Sequence, residues 1–173
     1  MARGQESNGR PVTGAKEAVS STVILGLGNL ILSDDGVGIH AVRLLERDGK
    51  LGGAGVAVID GGTFGVELSA FTAGAERLIV LDSVDVGARP GVLIRMCKDD
   101  LRDLPGAASV HGLGLADLLA ALRLMGSEPA EVVLLGVQPL TTAPGTSLSP
   151  AVQAALPLLV EAAIDEAARK FNG

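Results

Sequence analysis

Aromatic residues are almost missing from this chain: no Trp, no Tyr and three Phe in 173 residues. A core must therefore be built from Val, Leu, Ile and Ala, and the stacking platforms that nucleic-acid bases need are scarce. Cysteine is nearly missing as well. Cys97 stands alone, which excludes an internal disulfide and any cysteine-built zinc cluster and suits a reducing compartment. There is no basic excess: 14 Lys and Arg face 20 Asp and Glu, for a formal charge of −6. That balance argues against nucleic acid or an anionic membrane as the main partner, because both attract basic surfaces. No apolar run approaches the roughly 18 residues of a membrane span. Residues 1–21 lack the apolar stretch of a secretory signal and are polar and Gly-rich. They are expected to form a tail outside the fold, leaving residues 22–173 as one domain. Together these absences predict a cytoplasmic protein whose partner is neither nucleic acid nor membrane.

What is present is an alternation of short apolar runs and amphipathic segments. Val23-Ile24-Leu25 and its flanks read as a buried strand ending in glycine. Val37, Ala41, Leu44 and Leu45 recur at helical spacing, and the opposite face carries His40, Arg43, Arg47 and Lys50. Val56–Ile59 reads as a second strand, stopped by Asp60-Gly61-Gly62, and a short helix follows around Val66–Thr72. Leu78–Leu81 is a third strand ending at Asp82, and Val92–Met96 a fourth whose direction stays open. Leu115, Leu118, Leu119, Leu122 and Met125 mark one face of a helix that His111 opens. Val132–Val137 is a fifth strand, and Ser149-Pro150 supplies an N-cap and first-turn pair for a last helix reaching Phe171, with a kink expected at Pro157. The order predicts a single-domain three-layer α/β/α sandwich around a mostly parallel, mixed five-stranded sheet.

In open α/β sheets, ligands bind at the carboxyl ends of the strands. Those ends carry Asp34-Asp35 after the first strand, Asp60 after the second and Asp82 at the third, while His111 precedes the third major helix. Carboxylates with one imidazole can hold a divalent metal and leave positions open for substrate. Two close carboxylates can instead share a proton and activate water. An Asp after a strand also serves as a plain cap or turn residue. His40 reads as a solvated helix residue, and Cys97 as an inert strand residue.

The Gly26-Leu27-Gly28-Asn29 loop invites a dinucleotide reading, but Ile31 stands where a third glycine belongs, and Asp60 lies too far along to act as the ribose acid. There is no Walker lysine and no GxSxG elbow.

Three segments, taken together, resemble the [NiFe]-hydrogenase maturation endopeptidases: ILGLGNLILSDDGVGIHAVRLLE from Ile24, VIDGGTFGVELSAFTAGAERLIVLDSVDVG from Val58, and HGLGLADLLAALRLMG from His111 with VVLLGVQP beyond. The resemblance spans roughly residues 23–168. It implies an endopeptidase that removes a carboxyl-terminal extension from the nickel-loaded large-subunit precursor, with the nickel brought by that precursor. It further implies that Asp35, Asp82 and His111 contact the metal and that Asp60 matters for activity or specificity. Asp35 stands where some relatives carry Glu, and Gly112 where others carry Gln. Two other readings stay open: a nickel-dependent assembly chaperone that does not cut, and a metal-independent aspartic-type hydrolase.

Overall fold

The structure, a computed structural model, describes residues 21–49, 51, 55–102 and 112–169. The expected tail, Lys50, His111 and Phe171 lie outside the described residues, the tail but for Ser21. Five strands form one sheet: β1 (Thr22–Leu27), β2 (Val56–Gly62), β3 (Arg77–Ser83), β4 (Leu93–Cys97) and β5 (Glu131–Val137), in the spatial order β2-β1-β3-β5-β4. Every residue of β1 and β3 is buried, whereas β2 and β4 at the edges are half-exposed. This is the pattern of a sheet covered on both faces, whose central strands read as unbroken apolar runs.

Alternate residues serve alternate layers. Ile24, Ile79, Leu81, Val133 and Leu135 pack under α1 (Val37–Asp48) and α4 (Pro150–Ala168). Val23, Leu25, Leu78, Val80, Val132 and Leu134 face α3 (Gly112–Leu124) and the segment that includes the short α2 (Ser69–Thr72). The α/β/α sandwich is as expected.

Four pairings carry the sheet. β1–β2, β1–β3 and β3–β5 are parallel, and β4 runs antiparallel to β5. The link of residues 84–92 between β3 and β4 is too short for the crossover of a dozen or more residues that a parallel return needs. It passes over the end of β5 instead, where the Gly91 N–H donates to the Gln138 carbonyl and the Gln138 N–H to the Val92 carbonyl.

Some boundaries move. β2 runs on through Gly62 and β3 through Ser83, so Asp60 and Asp82 lie inside their strands rather than just after them. Met125 falls beyond α3 and is 59% exposed, because Gly126, at φ +67°, turns the chain away; it does not belong to the buried face with Leu115, Leu118 and Leu122. α4 opens on Ser149, whose φ of −62° and ψ of 155° are those of an N-cap, and continues through Pro157 as one helix.

At the amino edge of the sheet a buried ion-pair cluster ties four elements together. Arg77 of β3 reaches Glu166 of α4 with Nη2 at 2.7 Å from Oε1 and also pairs with Glu131 of β5. Arg95 of β4 adds Nε at 2.9 Å from Glu166 Oε2 and Nη2 at 3.1 Å from Oε1. The hydrogen bonds from Arg95 hold the Glu166 carboxyl below its ordinary range, against the opposing effect of burial.

Candidate active site

The opposite, carboxyl edge is shaped by glycines. Gly28 has φ +145°, and a Cβ there would sit 2.2 Å from the Asp35 carbonyl oxygen. A Cβ on Gly38, in the first turn of α1, would lie 2.2 Å from the Leu81 oxygen and 2.3 Å from the Leu27 oxygen. One on Gly26 would meet the Gly38 oxygen at 2.5 Å. These positions let the 3-10 turn Ser33–Gly36 and the start of α1 settle directly onto the ends of β1 and β3. The glycines that suggested a dinucleotide loop thus serve close helix–strand packing.

That packing brings distant acids to one edge. In the sheet register Asp60, Gly26 and Leu81 form one row across β2, β1 and β3, and Asp82 stands one residue further along β3. Asp35 follows β1 by way of the turn and precedes Gly38, which touches Leu81. This is the topological switch point: β1 hands the chain through α1 to β2 on one side, while β3 and β5 continue the sheet on the other.

Asp35 and Asp82 are each 2% exposed. Asp35 Oδ2 accepts the Asn29 N–H at 3.0 Å, so the glycine loop itself fixes that carboxylate. Asp82 Oδ1 accepts the Ser83 N–H at 2.7 Å. Asp60 lies differently. It is exposed; its Oδ2 takes Arg43 Nε at 3.3 Å and Nη2 at 3.1 Å, and its Oδ1 takes the Gly62 N–H. Arg43, read from the sequence as merely solvent-facing, is the counter-ion of a site candidate.

The Asp34-Asp35 pair resolves into two jobs. Asp34 is fully buried. Its Oδ2 accepts the N–H groups of Leu140 at 2.8 Å and Thr141 at 3.1 Å, and its Oδ1 that of Ser149 at 2.6 Å. Its carboxylate is therefore committed to the β5–α4 connection, and Asp35 is the one of the two at the end of β1. Sequence reasoning missed this role, and missed Gln138. The Gln138 side-chain oxygen accepts the N–H groups of Val86 and Ala88 while its amide donates to Asp85, pinning the loop after Asp82.

His111 lies outside the described residues, but the start of α3 is placed. Gly114 packs on Gly65, whose added Cβ would be 3.3 Å from the Gly114 Cα, so α3 begins against the loop that follows β2. His40 is half-buried on α1, and burial, with Arg43 second, lowers its pKa below the ordinary imidazole value. It is less solvated than expected. Cys97 is exposed at the end of β4, its Sγ donating to Asp100 at 3.0 Å. Among the described residues no three His, Cys, Asp or Glu side chains gather as a metal site. Two buried carboxylates at one edge of a sheet can orient a peptide, act as base toward water, or complete the coordination of an ion that arrives with other ligands.

A family model described as hydrogenase maturation protease matches residues 39–166. The chain belongs to that family. It is 38% identical over 147 residues to the hydrogenase expression/formation protein HupD of Rhodobacter capsulatus, covering 83% of this chain and 70% of that one. It is 35% identical over 146 residues to the hydrogenase 2 maturation protease of Escherichia coli, covering 83% and 86%. Among solved structures, the hydrogenase maturating endopeptidase HybD from Escherichia coli superposes with a TM-score of 0.74 at 33% identity, over 85% of this chain and 93% of that one. The [NiFe] hydrogenase maturation protease HybD from Thermococcus kodakarensis gives 0.73 at 27% identity, over 84% and 98%. This maturation protease is a hydrolase of the α/β class. Among its described residues no helix is long and apolar enough to cross a membrane.

Proposed function

We propose that this maturation protease removes a carboxyl-terminal extension from the nickel-loaded large-subunit precursor of a [NiFe] hydrogenase, in the cytoplasm. The observation that carries the reading is the placement of Asp35 and Asp82 at the switch point, both nearly inaccessible and both at the strand ends where α/β enzymes bind ligands. With His111, which the family resemblance adds, they form a set of oxygen and nitrogen ligands that contains no thiolate. Nickel prefers cysteine sulfur where a site offers it. The precursor therefore carries the metal in, and this chain's side chains complete its shell. The ion acts as a checkpoint, because an unloaded precursor lacks the anchor that holds its tail beside the carboxylates. Asp35 and Asp82 orient that anchor, and a carboxylate beside the scissile bond takes a proton from water as its oxygen bonds the carbonyl carbon, then returns that proton to the amine released when the C–N bond breaks.

The decisive test incubates purified protein with nickel-loaded and nickel-free precursor, with and without chelator, and weighs the products. Metal-stripped enzyme should shorten the loaded precursor at close to the normal rate and leave the unloaded one intact. Equal cutting of both would favour a metal-independent aspartic-type hydrolase. Binding of the loaded precursor with no change in its mass would make the protein a chaperone.

A further inference from the structure

Two loops at the carboxyl edge, the β1–α1 loop and the β5–α4 loop, are stitched into one plate, and the stitching centres on a residue outside the reacting set. Leu32 bridges Gly145. The Ser33 N–H donates to the Gly145 carbonyl at 2.8 Å, the Gly145 N–H to the Ile31 carbonyl at 3.0 Å, and the Asp34 N–H to the Thr141 carbonyl at 3.2 Å. Ser33 Oγ donates to the Ala143 carbonyl at 2.9 Å. The Asp34 carboxylate closes the plate with its three backbone N–H donors, one at Leu140, one at Thr141 and one at Ser149.

The plate also holds strain. Ser33 has φ +52°, and it is the one non-glycine among the described residues with a positive φ. Such a conformation costs on the order of 1 kcal/mol or more and persists where the surroundings over-determine it. Here they do: Ser33 is held from both its N–H and its hydroxyl, and the next residue by four hydrogen bonds. The turn that results sends two consecutive carboxylates to different partners. Asp34 goes into the β5–α4 loop, and Asp35 goes back to the Asn29 N–H above the end of β1.

We propose that Asp34 is a positioning residue: by locking the β5–α4 loop to the strained turn at Ser33, it aims the carboxylate of Asp35. The consequence for turnover rests on the reading given under Proposed function, but the aiming itself does not, so the test has two separate arms. In the free enzyme, amide proton–nitrogen spectra and hydrogen exchange compare wild type with Asp34→Asn. The variant keeps the size of the side chain but replaces one acceptor oxygen by a donor, which must oppose a backbone N–H. The amides of Leu140, Thr141 and Ser149 should exchange faster by about tenfold or more. The Asn29 amide, which reports on Asp35, should shift as well. In the second arm, with precursor, kcat should fall roughly 10- to 100-fold while KM stays within about threefold, measured well below the melting temperature.

An Asn29 resonance that stays in place while the β5–α4 amides change would overturn the proposal, leaving Asp34 as a loop staple only. So would an unchanged kcat in the folded variant. Absence of cleavage by wild type would defeat the proposed function and leave the spectroscopic arm standing. Should Asp34→Asn not fold, Ser149→Pro removes one donor from the other side, at a φ of −62° that suits proline, and Ser149→Ala, which loses only the hydroxyl cap on the Val152 N–H, is its control. The proline variant should move the Asn29 resonance in the same direction by a smaller amount, and no movement there would equally sink the idea.

Discussion

The two edges of the sheet bury acidic groups by different means. At the amino edge, Glu166 lies between two guanidinium groups, those of Arg77 and Arg95, and the cluster reaches β3, β4, β5 and α4 at once. At the carboxyl edge, Asp34 is held by three backbone N–H groups, Asp35 by that of Asn29 and Asp82 by that of Ser83. A guanidinium cancels charge and clamps elements together. A backbone N–H fixes an oxygen in space without itself adding a counter-charge. The first arrangement joins four elements, and the second ties single carboxylates to the backbone around them.

The comparison breaks most visibly at Glu166. Glu166→Gln leaves buried Arg77 with Glu131 as its remaining counter-charge and takes the charged partner from Arg95 as well, a loss of about 1.5–3 kcal/mol. Denaturant unfolding should show that loss, while processing per folded molecule should stay near normal; an unchanged midpoint would mean that the clamp contributes nothing. The same carboxylate governs acid sensitivity. Its folded pKa lies below the ordinary 4.5, so its contribution is complete above that value and is lost as pH falls through the depressed folded one. Wild type should lose stability over that acid window, and the Gln variant should show a shallower dependence there.

Asp82→Asn should do the reverse. The protein should fold with a melting temperature close to wild type, while processing should fall at least about 100-fold, as for a group that acts on the transition state. Near-normal turnover by the folded variant would remove Asp82 from the site.

The smallest effect should come from His40. His111→Ala should abolish processing, whereas His40→Ala should leave it within about threefold. The lowered pKa of His40 means that the fold favours its neutral ring, so its linkage is a modest stability loss as pH falls from about 6.5 toward the folded value. Replacing it should flatten that slope. Equal losses of activity in the two histidine variants would redraw the face of α1 toward the site.

Much of this was legible beforehand, for identifiable reasons. β1, β3 and β5 show as unbroken apolar runs because both faces of the central sheet are covered, and Asp82 stands out where such a run meets an acid. The direction of β4 was not legible, because it follows from where a short link crosses the end of β5. Nor could Asp34 be told from Asp35. Its donors are 106 to 115 residues away, and they are backbone groups that every residue but proline carries. Arg43 looked solvated because its partner, Asp60, belongs to a neighbouring strand. Arg77 and Glu166 are 89 positions apart, and nothing local to either announces a buried pair.

The scarcity of aromatic rings has an optical corollary. Without Trp or Tyr the chain is nearly dark at the wavelengths where proteins usually absorb and emit, and Phe64, 62% exposed in the loop after β2, sits beside the carboxyl edge. A single indole placed there would be the protein's sole strong emitter, on a loop seated against the start of α3. Conversely, any tryptophan in a docking precursor would fluoresce against a silent background. Docking at this edge could thus be followed in real time with no label on either partner.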